Sequence, residues 1–191
     1  MRLYIFDMGE VVLLGVNVLR RMAEHYGIDY DAFRADYNLY DKPLMDGYMD
    51  SADYYSHMRK AFAVDVSGDP FSLFFTPTLN QRVLDYVDRL RARGDRVVIG
   101  SNTFEPHWKA LSDRYIAIRE HFDALYASHL MHISKPVPAF WRIIMEAEGV
   151  KADDSFFIDD RLDNIEAAES LGIRCFRYQR NDEELEAFLS L

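Results

Sequence analysis

From residue 77 onward the chain alternates short apolar runs with amphipathic stretches, and this rhythm restricts the fold more than any other feature. Leu79 to Arg93 has helical spacing and stops at Gly94, then Arg96-Val97-Val98-Ile99-Gly100 reads as a strand. A helix-like run from about Pro106 to His121 leads into the short strand Ala124-Leu125-Tyr126-Ala127. The pattern continues with a helix at Pro138 to Glu148, a strand at Ser155 to Asp159 and a helix at Asn164 to Leu171. A strand at Ile173 to Tyr178 and a helix at Asp182 to Leu189 close it. Strands separated by helices predict a parallel sheet covered on both faces, because each crossover must return to the same end of the sheet. The expected class is α/β, a doubly wound parallel sheet.

The N-terminus supplies one more strand, Arg2 to Asp7, continuously apolar until Asp7 and closed by Gly9. Between this strand and Pro77 no period of two occurs. Val18, Met22 and Tyr26 share one helical face from Asn17 to the stop at Gly27. Further helical segments are expected at Asp29 to Tyr40, at Ser51 to Phe62 with Ser51 as N-cap, and at Asp69 to Phe75. The core is therefore expected to be discontinuous, residues 1–14 and 77–191, with an all-helical cap inserted at 15–76.

An apolar share of 49% over 191 residues fills a real core, and a net charge of −10 excludes nucleic acid as the main partner. The lone Cys175 cannot form an internal disulfide, and it reads as a core thiol on a strand. No apolar run reaches the length of a membrane span and no signal-peptide pattern opens the chain, so a soluble, cytoplasmic protein is expected. No helix carries sustained heptads, which leaves the oligomeric state open.

In a doubly wound sheet, ligands bind at the carboxyl ends of the strands. Those ends carry Asp7, then Ser101 and Asn102, then Lys135, then Asp159 and Asp160. An unpaired carboxylate at the end of a buried strand is costly, and adjacent acids repel one another, so a cation is implied. Magnesium suits such a site because it takes oxygen ligands, commonly one or two carboxylates completed by phosphate and water. A carboxylate held on a rigid strand can attack phosphorus. A serine hydroxyl and a lysine ammonium can then hold the phosphoryl oxygens.

Four motifs occur in order: Phe6-Asp7-x-Gly9-x-Val11, Gly100-Ser101-Asn102-Thr103, Ser134-Lys135-Pro136, and Phe156-Phe157-Ile158-Asp159-Asp160-Arg161 followed by Asn164-Ile165. Together they resemble the haloacid dehalogenase-like (HAD) superfamily, most of all its branch with a small helical cap that includes bacterial α-glucose-1-phosphate phosphatases. The resemblance implies Asp7 as nucleophile and metal ligand, the backbone carbonyl of Gly9 and the carboxylates of Asp159 and Asp160 as further magnesium contacts, and Ser101, Asn102 and Lys135 as phosphate binders. Asn164 stands where many members carry another acid.

Gly9 occupies the place of a second aspartate that in most HAD phosphatases protonates the leaving group. Such acid–base help is typically worth ~10²–10⁴-fold. Glu10 is adjacent, but neighbours on an extended chain point to opposite sides. The missing acid favours substrates that depart readily, such as anomeric sugar phosphates and acyl phosphates. Within the cap, Asp46, Gly47 and Tyr48 are expected to face the substrate, because Gly47 interrupts the helical pattern. Tyr37, Tyr40, Tyr54 and Tyr55 read as packing residues, as do Trp108, Trp141, His107 and His132. The leading expectation is a magnesium-dependent phosphatase acting on a small phosphorylated metabolite, a sugar phosphate by analogy, through an aspartyl-phosphate. A metal-independent 2-haloacid dehalogenase and a non-catalytic phospholigand binder are the alternatives.

Overall fold

Strand β1 (Leu3–Phe6) is buried at every residue, which is what four successive apolar side chains require. The computed structural model describes residues 1–114 and 116–190, with side chains placed outside 112–117. β1 lies at the centre of a five-stranded sheet, flanked by the strands its apolar neighbours form. In chain order the remaining elements are β2 (Leu13–Leu14), α1 (Val18–Tyr26), α2 (Tyr30–Tyr37), α3 (Asp41–Met45), α4 (Ser51–Ala61), α5 (Pro70–Leu73), β3 (Thr78–Leu79), α6 (Gln81–Ala92) and β4 (Arg96–Ser101). They are followed by α7 (Glu105–Arg114), α8 (Ile116–His121), β5 (Ala124–Ala127), α9 (Ser128–Met131) and α10 (Ala139–Glu148). The chain closes with β6 (Ser155–Asp159), α11 (Leu162–Glu169), β7 (Arg174–Arg177) and α12 (Asp182–Leu189).

The sheet order is β5-β4-β1-β6-β7, and every pairing in it is parallel. Phe6 stands opposite both Ile99 and Ile158, so the strand ends that follow fall on one rim. Successive residues of a strand face opposite sides. Tyr4, Phe6, Val97, Ile99, Phe156 and Ile158 therefore enter one core, while Leu3, Ile5, Val98 and Phe157 enter the other with Phe140, Trp141 and Ile144 of α10. Gly100 is glycine because a Cβ there would lie 2.8 Å from Ile5 Cγ2 and 3.2 Å from Phe140 Cε1.

Five helices lie between β2 and β3, the two short strands that pair antiparallel where the chain leaves and re-enters the sheet region. The strands at both ends of this insertion are missing from the sequence reading, since two residues make no period. The segment expected as one helix from Asp29 to Tyr40 is α2, which ends at Tyr37 and passes through a turn into the separate α3, with Asp29 capping α2 by accepting from the Ala32 amide. Asp50, not Ser51, caps α4: its carboxylate, one residue earlier, accepts from the Ala52 amide at 2.8 Å and leaves Ser51 as the first helical residue. The run expected over Pro106 to His121 is described as α7 and α8, and Tyr115 between them lies outside the described residues. Among the described residues, no helix is long and apolar enough to cross a membrane.

Candidate active site

Asp7 follows β1 directly, and its amide donates to the Ile158 carbonyl at 2.8 Å, extending the ladder by one residue. That bond draws its carboxylate beside the end of β6. Lys135 Nζ, its side chain 1% exposed, bridges Asp7 Oδ1 and Asp159 Oδ2 at 2.7 Å each. Asp159 is wholly buried and accepts further hydrogen bonds from the Arg161 amide at 2.8 Å and from Asn164 Nδ2 at 3.1 and 3.0 Å. An ionised carboxylate has about four acceptor sites, so Asp159 is saturated by protein donors. Asn164 thus orients an acid, one turn into α11, a role its residue type disguises in the sequence.

Asp160, next along the chain, is half-buried and completes a cluster: one carboxylate oxygen from each of Asp7, Asp159 and Asp160 lies within 4.8 Å of the others. Three acids against one ammonium leave uncompensated negative charge, and oxygen donors at this spacing fit a hard divalent cation. The same crowding shows in the proton affinities. Burial, with Asp159 and Asp160 adding to it against the opposing pull of Lys135, pushes Asp7 up to about 7. Burial and Asp159 also push Asp160 upward.

Asn102 has a different geometry from a phosphate-facing side chain. Its Nδ2 donates to the Lys135 carbonyl at 2.9 Å and its Oδ1 accepts from the Lys135 amide at 2.8 Å. The side chain is spent holding the backbone that carries Lys135. Ser101 is the last residue of β4, buried, with Oγ 3.4 Å from the Asn102 carbonyl.

The loop after Asp7 turns sharply: the Val12 and Leu13 amides both donate to the Met8 carbonyl. Glu10 sits at φ 55°, a left-handed conformation that costs a non-glycine residue on the order of 1–2 kcal/mol. Its side chain shows what holds it there. Oε1 accepts from the Gly15 and Val16 amides at 2.9 and 3.0 Å, and Oε2 pairs with Arg180 at 2.8 Å. Glu10 is a brace for the loop and is not placed for proton transfer. A Cβ built on Gly9 would lie 3.8 Å from Asp7 Oδ2 and 3.4 Å from Val16 Cγ2, so the position has room for a side chain that the sequence does not provide.

Over Gly9 and Ser101 opens a cavity of about 260 Å³. Its wall mixes aliphatic and polar side chains with an aromatic cluster in which Phe71, Phe75 and Phe104 surround His107, Phe75 stacked on the imidazole at 4.2 Å between centroids. Burial pushes His107 down to about 3, so the ring is neutral. Asp41 and Tyr37 add polar atoms from the helices, and burial raises Asp41 against its hydrogen bond with Tyr37.

Asp46, Gly47 and Tyr48, expected to face a substrate, do not line this cavity. They dock on residues 128–132. The Asp46 carbonyl accepts from His132 Nδ1 at 3.1 Å, and Tyr48 stacks on His132 at 5.4 Å. A Cβ on Gly47, whose φ is 70°, would lie 2.4 Å from the His129 carbonyl oxygen. The break in helical pattern at Gly47 marks a close approach of backbones, and the residues one turn earlier, Asp41 and Met45, face the cavity instead. Tyr37, Tyr54 and Tyr55 are buried as packing residues, and Trp141 is wholly buried. Cys175 is half-buried with its thiol pushed up to about 12 by burial, and it takes no part in the site.

A parallel five-stranded sheet with an acidic rim, a buried lysine and an inserted set of helices is the Rossmann-like α/β architecture of HAD proteins. The family model for haloacid dehalogenase-like hydrolases matches residues 1–172, and the chain belongs to that family. Among curated proteins, the GMP/IMP nucleotidase YrfG of Escherichia coli is 29% identical over 96 residues, 50% of this chain and 43% of the nucleotidase. The sesquiterpene phosphatase astK of Aspergillus oryzae is 26% identical over 92 residues, 48% of this chain and 46% of that protein. These matches span less than half the length of either relative. Among solved structures, a magnesium complex of a HAD-family enzyme from Bacteroides thetaiotaomicron superposes with a TM-score of 0.82 at 22% identity, covering 98% of both chains. The L-2-haloacid dehalogenase of Xanthobacter autotrophicus superposes with a TM-score of 0.70 at 14% identity, covering 98% of this chain and 81% of that one.

Proposed function

We propose that the chain is a magnesium-dependent phosphatase that hydrolyses a small phosphorylated metabolite through an aspartyl-phosphate on Asp7. The observation that carries this reading is the cluster of Asp7, Asp159 and Asp160 around Lys135, beside a cavity that Gly9 and Ser101 line. A metal-free dehalogenase has no use for three converging carboxylates. Asp7, Asp160 and the Gly9 carbonyl would hold the ion, with Asp159 set behind them by its three donors, Lys135, the Arg161 amide and Asn164. The ion supplies charge neutralisation between nucleophile and phosphate. Ser101, the Asn102 amide and Lys135 hold the phosphoryl oxygens, Lys135 as a compact positive charge already 2.7 Å from the nucleophile. Residues 15–76 act as a cap over a core of 1–14 and 77–191, with the docked segment at Asp46 to Tyr48 fixing its seat. That the curated relatives include a nucleotidase and a phosphatase supports the reaction class, as does the magnesium bound to the Bacteroides enzyme.

The test is turnover of acetyl phosphate and a metabolite panel with Mg²⁺ and with EDTA, with Asp7→Asn as control. Activity that needs Mg²⁺ and falls by at least about 10³-fold in D7N is expected. Halide release from 2-chloropropionate in EDTA decides for the dehalogenase instead, and activity unaffected by D7N ends the nucleophile assignment.

A further inference from the structure

We infer that the preferred substrates are aryl phosphates, monoesters whose leaving group is a phenolate on a single aromatic ring. This inference rests on the phosphatase reading above and goes beyond it by naming the leaving group. Two independent observations converge on it, one chemical and one steric.

The chemical observation is that Gly9 and Glu10, which follow the nucleophile Asp7, offer no proton to a leaving group. Gly9 has no side chain, both oxygens of Glu10 are committed to the Gly15 and Val16 amides and to Arg180, and Asp159 is saturated by donors. The departing oxygen must therefore leave as an anion. A phenol ionises near pH 10, whereas an alkanol resembles water at about 15.7, so the phenolate departs unaided far more readily. The steric observation is the wall directly over Gly9 and Ser101. Phe71, Phe75 and Phe104 with the neutral ring of His107 form a continuous aromatic surface, packed at 4.2 to 4.9 Å between neighbouring centroids. Such a surface takes a flat ring by offset or edge contacts. A cavity of about 260 Å³ lies just below the usual range of ligand sites and holds one ring.

The step balances without a further reactant. A carboxylate oxygen of Asp7 attacks phosphorus, the Asp7 O–P bond forms, and the P–O(aryl) bond breaks with its electron pair staying on the phenolate, which takes a proton from solvent. Water then attacks the phosphorus of the aspartyl-phosphate. The P–O bond to Asp7 breaks, returning the carboxylate and releasing inorganic phosphate with the water proton passing to solvent.

The experiment compares phenyl phosphate with benzyl phosphate, which carries the same ring on an alkyl oxygen, and with α-D-glucose 1-phosphate, using the full chain with Mg²⁺. Acetyl phosphate serves as a ring-free reference. The expected result is kcat/KM for phenyl phosphate at least about 10²-fold above benzyl phosphate and at least about 10-fold above the sugar phosphate. Gly9→Asp, whose Cβ would meet only ordinary van der Waals contacts, is expected to narrow the phenyl-to-benzyl ratio by supplying the missing proton. Asp41→Asn tests the one carboxyl on the cavity wall: an unchanged ratio supports the inference. A ratio that widens in D41N shows that Asp41 already donates a proton and overturns it. Equal turnover of phenyl and benzyl phosphates alongside active acetyl phosphate hydrolysis overturns the aryl assignment while leaving the phosphatase reading intact. No turnover of any phosphate ends both.

Discussion

Replacing Lys135 by methionine tests the electrostatic account of the site most directly. The ammonium is buried and stands 2.7 Å from each of two carboxylates, one of them wholly buried. Methionine matches its length and apolar stem but removes the charge, leaving Asp7 and Asp159 facing one another. Removing one partner of a buried ion pair typically costs about 3–5 kcal/mol, because the remaining charge is left desolvated. Against a total stability of about 5–15 kcal/mol, that is a large fraction. The loss should also depend on pH, with a definite sign. Asp7 is pushed up to about 7 even with Lys135 present, and losing the ammonium raises it further. A carboxyl whose folded pKa lies above its unfolded value of 3.8 destabilises the protein fully above the folded pKa and not at all below the unfolded one. At pH 5 Asp7 is protonated in both wild type and variant, so its share of the loss vanishes there. It grows as pH rises through 7 toward the variant's own, higher folded pKa. Urea unfolding without metal at both pH values, with the slope checked for constancy, measures this. The expected result is about 3–5 kcal/mol at pH 8, clearly less at pH 5, and part of it regained with Mg²⁺. A loss below 1 kcal/mol, or one equal at the two pH values, refutes the reasoning.

Metal binding carries its own pH signature, since Asp7 must be ionised to accept a cation and stands near 7 without one. The gain in Tm from saturating Mg²⁺ is expected to be larger at pH 8 than at pH 5.5, and equal gains would remove Asp7 from the ligand set. Asn102→Ala deletes both hydrogen bonds to the Lys135 backbone and should cost about 1–3 kcal/mol, with turnover falling more than tenfold as Lys135 loses its fixed position. A variant with unchanged kcat and KM would show that the backbone clamp has no part in positioning the lysine.

The parallel sheet was legible because apolar runs such as Arg96 to Gly100 and Ser155 to Asp159 are buried on both faces and cannot be mistaken for alternating surface strands. The rim residues were legible for the same reason: Asp7, Ser101 and Asp159 end those runs abruptly. Local bounds were less so. Asp50 outcompetes Ser51 as a cap by one residue, and β2 and β3, at two residues each, carry no pattern of their own. The placement of Asp46 to Tyr48 was out of reach. Periodicity shows that Gly47 breaks a helix, but only the approach of the His129 backbone shows why.

By itself, then, the sequence determined the fold class, the set of charged residues at the strand ends and the lack of an acid at position 9, because each depends on short-range pattern or residue identity. Tertiary structure alone decided how those residues divide their work. Asn102 and Asn164 spend their amides on Lys135 and Asp159, Glu10 is consumed by Arg180 across 170 residues of chain, and aromatic side chains from α5, α7 and the segments beside them meet in the cavity that Gly9 lines. These partnerships form between groups far apart along the chain. Hydrogen-bond saturation and cavity shape are properties of that packing, and no local pattern records them.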